Sequence, residues 1–212
     1  MRGVAALALL LVNVHLGRPC EKVEQVLFCL KIPSYFDPGC SSLLMVLKNI
    51  GEVNSTVFQS DNLASIISLI INNANITRIA EKGFGSFPQL TSLSLAGNML
   101  SQVNTSWFRN PAVLRELNVA DNRIAEVTES TLKGLSNLTK LRLNKNRIKA
   151  IRPSSFRSQS ALAEVDLSEN RLTWVPPQIF TSLGSLRSIR LDGNPWNCSC
   201  VHRDFVASVK GW

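Results

Sequence analysis

Histidine is almost missing from this chain: 212 residues hold two, His15 and His202. His15 falls in an apolar leader, and His202 stands alone beyond Cys200. A Ser-His-Asp or Cys-His catalytic site would therefore rest on one isolated imidazole. Glycine-rich phosphate loops and histidine clusters with ligand spacing are lacking as well. These absences argue against an enzyme and leave no cofactor and no metal to assign.

There is also no run of five or more basic residues, although Lys and Arg outnumber Asp and Glu by 23 to 15. The net charge is +8 and the calculated pI about 9.6. A basic chain raises nucleic acid, heparin-like polymers and acidic membranes as partners. Charge spread this evenly, without interleaved aromatics, speaks against nucleic acid. Long apolar runs are scarce too. Residues 4–14 are mostly Ala, Leu and Val behind Arg2, too short to span a bilayer and of the length expected for a secretory signal core, with cleavage near Gly17 and an uncleaved anchor as the alternative. The longest rival, residues 63–71, belongs to a repeat described below.

Cysteine is lacking between residues 41 and 197. Cys20, Cys29 and Cys40 lie before that stretch, Cys198 and Cys200 after it. Disulfide-stapled ends suit an elongated array that exposes its apolar core at both termini. Five is an odd number, so one thiol lacks an intramolecular partner, and nothing in the spacing says which of the first three pair. A zinc site at Cys198 and Cys200 has no accompanying pair of ligands.

What the chain has in abundance is one phrase. Asn98, Asn122, Asn146, Asn170 and Asn194 recur every 24 residues, each inside a copy such as LTKLRLNKNRI from Leu138. An earlier copy from Ile66 keeps the apolar spacing but has Ala74 at the asparagine position. Such a period is the mark of a leucine-rich repeat array. Apolar residues at the first, fourth and sixth positions point inward around a short strand. The asparagine amide, both donor and acceptor, serves backbone groups where the strand turns away. The implied fold class is α/β: a solenoid with a concave parallel sheet and a convex side of turns and short helical segments. A further apolar position (Ile79, Val103, Val127, Ile151, Val175) and a large one five residues on (Phe84, Phe108, Leu132, Phe156, Phe180) recur with the same period. These are expected to form core under the convex side. Before Ile66 the pattern degenerates: Cys40, Leu43, Met45, Ile50, Val53 and Phe58 keep the spacing with Lys48 at the asparagine position, as a capping coil should.

The repeats resemble the 24-residue class of the extracellular leucine-rich repeat family, and residues 194–200, NPWNCSC, resemble its C-terminal flanking cap. The resemblance implies that Cys198 and Cys200 pair with two cysteines further downstream; the sequence stops at Trp212 before either, so the chain is expected to be a fragment, a truncated form or a short splice form. It further implies an exported recognition, adhesion or receptor module. The expected organisation is a signal peptide at 1–17, an N-terminal cysteine cap with a degenerate repeat at 18–65, repeats at 66–194 and an incomplete C-terminal flanking cap at 195–212.

Residues between the inward leucines face outward, and residues 24 apart are about 4.8 Å from one another on adjacent strands. Three columns result: Glu116, Lys140, Glu164; Asn118, Arg142, Asp166, Arg190; and Asp121, Lys145, Glu169. Alternating signs imply mutual pairing on a solvated face, and equally a mixed-charge docking surface for a protein ligand. Arg115 joins these as a binding candidate. Arg123, Arg147 and Arg171 form a basic stripe on one margin, suited to a sulfated glycan or to phospholipid heads, although the resemblance also implies that arginine is common at this place in the repeat. Ile67, Ile70, Thr91, Ser92 and Ser94 make the N-terminal face weakly polar, with the isoleucines either a contact patch or covered by the cap. Sequons stand at Asn54, Asn75, Asn104, Asn137 and Asn197. The function these features support is a secreted or cell-surface module that binds a protein on its concave face. The alternative is a membrane-tethered receptor or auxiliary subunit whose spanning segment lies beyond Trp212.

Overall fold

The computed structural model describes residues 19–197 apart from residues 34, 37, 38, 60, 181 and 182. The expected signal segment, Cys198, Cys200 and His202 fall outside the described residues. Among those described, no helix is long and apolar enough to cross a membrane, and no group of His, Cys, Asp or Glu is placed to hold a metal.

Each coil contributes one short strand to a concave sheet. These are β3 (Ser42–Met45), β5 (Ser68–Ile70), β7 (Ser92–Ser94), β8 (Glu116–Asn118), β10 (Lys140–Arg142), β12 (Glu164–Asp166) and β13 (Ser188–Arg190). They are parallel and in register, with Leu69, Leu93, Leu117, Leu141, Val165 and Ile189 side by side at their centres. One inward side chain per strand explains why strands of three residues suffice: neighbouring coils, not strand length, bury the apolar face. A second edge carries two small parallel pairs, β4 (Gly51–Val53) with β6 (Ile76–Ile79) and β9 (Glu126–Val127) with β11 (Ala150–Ile151). The convex side is made of turns, 3-10 pieces such as Thr105–Trp107 and Pro177–Phe180, and a four-residue helix α1 (Glu129–Leu132). The structure thus has the α/β solenoid architecture expected of the repeat.

The convex aromatic positions pack as anticipated. Phe58, Phe84, Phe108, Phe156 and Phe180 are buried, with ring centroids 6.2 Å (58–84), 6.1 Å (84–108) and 6.3 Å (156–180) apart. Leu132 holds the same place between the two groups.

The N-terminal cap contains an element that the repeat pattern does not announce. Residues Cys20–Val23 (β1) and Val26–Cys29 (β2) form an antiparallel hairpin, closed by a Cys20–Cys29 disulfide. β2 then joins β3 in parallel, Leu27 beside Leu43 and Cys29 beside Met45. The hairpin therefore lies over the open end of the solenoid core. Cys40 is buried outside that bridge. The degenerate coil follows as expected: Leu43, Met45, Val53 and Phe58 are buried and Ile50 packs against the core, while Lys48 is exposed.

The asparagine ladder works between coils. Asn122 accepts the Leu100 N–H at 2.9 Å and donates to the Leu95 carbonyl at 3.0 Å, both in the preceding coil, and to Val119 at 3.1 Å in its own. Asn98, Asn146, Asn170 and Asn194 repeat this arrangement. Asn98, Asn122, Asn146 and Asn170 are buried; Asn194, in the last coil, is only partly so. At Ala74 no such amide exists, and the Ile50 N–H turns to the Ala74 carbonyl instead, at 3.0 Å.

A candidate binding surface on the concave sheet

The outward positions of the sheet follow from the register. Along one row lie Phe28, Leu44, Ile70, Ser94, Asn118, Arg142, Asp166 and Arg190. Beside it run Val26, Ser42, Ser68, Ser92, Glu116, Lys140, Glu164 and Ser188. The face accordingly divides. Its N-terminal half presents half-buried Phe28, Leu44 and Ile70 with Val26, Val46 and Ile67 exposed at 37%, 47% and 45%. Its C-terminal half is charged, with small serines between.

The charged half is balanced. Over the outward and adjoining turn positions from residue 115 to residue 192 it holds Arg115, Lys140, Arg142, Lys145, Arg187 and Arg190 against Glu116, Asp121, Glu164, Asp166, Glu169 and Asp192. Lys140 lies between two carboxylates, 3.5 Å from Glu116 and 3.8 Å from Glu164. Arg190 pairs with Asp166 at 3.8 Å and with Asp192 at 3.5 Å. Arg142, between Asn118 and Asp166, makes no ion pair among the described residues. The reason is local: Asp166 Oδ1 already accepts the Ser168 N–H at 3.0 Å and its hydroxyl at 2.6 Å, and Oδ2 faces Arg190. Asn118 likewise caps the Ala120 N–H at 3.1 Å. Asn118 and Asp166 therefore brace the ends of β8 and β12 as well as facing solvent.

The third column differs from its expected placement. Asp121, Lys145 and Glu169 are not on strands; they occupy the turn after them, with φ of +53°, +57° and +53°. Asn73, Gly97 and Gly193 share this position, φ +54°, +69° and +69°. The chain must bend inward here to bring the next residue, the ladder position, into the core, and the left-handed conformation makes the bend. Lys145 still reaches Glu169, at 3.9 Å.

The hairpin extends the face beyond what the repeats alone suggest. Phe28, Val26, Leu44 and Val46 lie in segments without the 24-residue period, so the repeat pattern points to Ile67 and Ile70 alone. The cap does not cover Ile67, which is 45% exposed. Pocket-like hollows on this face are shallow: one of about 260 Å³ lies between Ile70, Ser94, Asn118 and Arg142.

Residues 64–124 and 136–195, more than half the chain, match the leucine rich repeat family, and the chain belongs to that family. Leucine rich repeats are a protein-interaction fold, typically without catalysis. Among solved structures the chain is similar to human 5T4 (Wnt-activated inhibitory factor 1, trophoblast glycoprotein), with 20% identity and a TM-score of 0.66 over 92% of this chain and 87% of that one. It is also similar to TLR13, solved in complex with ssRNA13, with 24% identity and a TM-score of 0.63 over 76% of this chain and 23% of TLR13. At these identities the likeness is one of fold. No curated protein matches the chain.

Proposed function

We propose that this chain is a non-catalytic extracellular recognition module that binds a protein ligand on its concave face. The observation that carries this reading is the single row from Phe28 to Arg190. It passes from apolar through small polar to charged residues within one continuous sheet. Protein ligands combine an apolar contact with charges that set orientation. Arg142, at the centre of the charged half and without an ion pair among the described residues, can take a carboxylate from the partner. The apolar leader, the five sequons and the Cys20–Cys29 disulfide support export. Of the sequons, Asn75, Asn104, Asn137 and Asn197 are exposed, and Asn54 is half-buried; none stands on the concave strands.

The test is a binding screen of the full chain against a panel of recombinant ectodomains, followed by two variants on any hit. Lys140→Glu/Arg142→Glu/Lys145→Glu disrupts the charged half, and Ile67→Asp/Ile70→Asp the apolar half. Each is expected to weaken binding by about tenfold or more, some 1.4 kcal/mol. A hit that tolerates both sets binds elsewhere, and the concave assignment is then wrong.

A further inference from the structure

The charge excess of this protein does not lie on its concave face, where cations and carboxylates are equal in number. It gathers on the edge where the chain leaves that face. Over residues 123–128, 147–152 and 171–176 there are five cations, Arg123, Arg147, Lys149, Arg152 and Arg171, and one carboxylate, Glu126. Arg152 takes that carboxylate at 2.6 Å. The other four are exposed and make no ion pair among the described residues.

Their backbones are held in a regular ladder. Arg123 N–H donates to the Leu100 carbonyl at 2.8 Å, Arg147 to Ile124 at 2.9 Å, Arg171 to Ile148 at 2.9 Å and Lys149 to Ala125 at 3.0 Å. The stripe is thus presented one guanidinium per coil, about 4.8 Å apart, from a rigid edge. Sequons in the same two columns stand at Asn75, two coils before Arg123, and at Asn197, two coils after Lys149. The stripe itself carries none.

We propose that this edge binds a linear sulfated polysaccharide laid across the coils, separately from the protein ligand of the concave face. Planar guanidinium groups match the oxygens of a sulfate in paired hydrogen bonds, and a straight row of them suits anionic groups repeated along an extended polymer. Single-stranded nucleic acid is usually held by charge together with several stacking aromatics, and here Trp174 is the one exposed aromatic neighbour among the described residues. An acidic membrane would be met by several large apolar side chains between the cations, where Ala125 and Thr173 stand and Trp174 alone among the described residues is large and exposed.

The experiment measures binding of the full chain to immobilised heparin across a range of salt. Arg123→Gln/Arg147→Gln/Arg171→Gln is compared with Arg109→Gln/Lys133→Gln/Arg157→Gln. The second set removes the same charge from a convex column of equal spacing, and circular dichroism confirms that both fold. The edge variant is expected to bind at least tenfold more weakly with a visibly shallower salt dependence, and the convex variant within twofold of the parent. Equal losses would mean that net charge alone is read. Failure of the parent to bind, or equal binding to desulfated heparin, would also overturn the proposal. So would edge-dependent binding of polyuridylate or phosphatidylserine vesicles at the strength seen for heparin. None of these outcomes depends on the concave-face variants, so the two readings stand or fall apart.

Discussion

Asn146 binds its coil to the coil before it: its Nδ2 donates to the Val119 carbonyl at 2.9 Å, and its Oδ1 accepts the Ile124 N–H at 3.0 Å. It also donates to Leu143 in its own coil at 3.0 Å, all within the buried core. Alanine at this place leaves backbone groups unpaired in an apolar interior, at about 1–3 kcal/mol for each one that no water reaches. Asn146→Ala is expected to lower unfolding free energy by about 2–4 kcal/mol, read by urea denaturation followed by tryptophan fluorescence. Asn194 makes the same bonds but is only partly buried in the last coil, so Asn194→Ala is expected to cost about half as much or less. Equal costs at the two positions would contradict the account of the ladder as a burial-dependent tie.

Lys140 lies between Glu116 and Glu164, and all three side chains are 40–50% exposed. Screened pairs of this kind contribute little, so Lys140→Met is expected to cost about 0.5 kcal/mol or less. Lys140→Glu places three carboxylates in one column and is expected to cost about 1 kcal/mol at low salt. That penalty must shrink as the Debye length falls from about 30 Å at 0.01 M to about 3 Å at 1 M. Urea titrations at the two ionic strengths check this, and a penalty that ignores salt would mean a packing effect instead.

The parts of the fold legible in the sequence are those where one residue type answers one geometric demand. The inward leucines, the ladder asparagines and the convex phenylalanines each recur because every coil repeats the same environment. The hairpin was invisible for the opposite reason: β2 meets β3 at a spacing of 16 residues, Leu27 against Leu43, and nothing repeats it. Phe28 and Leu44 were lost from the candidate surface with it. The third charged column follows the 24-residue period but not strand alternation, which from 116 and 118 reaches 120; positive φ at Asp121, Lys145 and Glu169 puts that column in a turn, which the period alone does not reveal. Alternating signs also suggested a partner for Arg142, but competition for Asp166 is a matter of side-chain geometry that spacing cannot show.

The Cys20–Cys29 bond closes the hairpin that covers Leu43 and Met45 at the solenoid's N-terminal end. A loop this short is expected to contribute on the order of 2–3 kcal/mol. Cys20→Ser/Cys29→Ser should therefore lower the melting temperature by about 5–10 °C for a chain of this size. Differential scanning calorimetry with and without reductant separates the effect of the bond from that of the substitutions. An unchanged transition in the double variant would show that the hairpin does not cap the core.

Two glycines without positive φ differ in the room around them. A Cβ on Gly83 would stand 2.8 Å from Ile79 Cγ2, 3.0 Å from the Val53 carbonyl oxygen and 3.2 Å from that of Ala80. Both oxygens are already engaged, Val53 by the Ala80 N–H and Ala80 by the N–H of Gly83 itself, so neither is easily moved. A Cβ on Gly184 would meet nothing within 4 Å. Gly83→Ala is expected to destabilise by about 1–3 kcal/mol through overpacking. Gly184→Ala is expected to be neutral or to gain up to about 1 kcal/mol, because alanine restricts the unfolded chain. Urea midpoints of the two single variants decide the matter: if they shift alike, the close packing of Gly83 against β4 and β6 is not what fixes that residue.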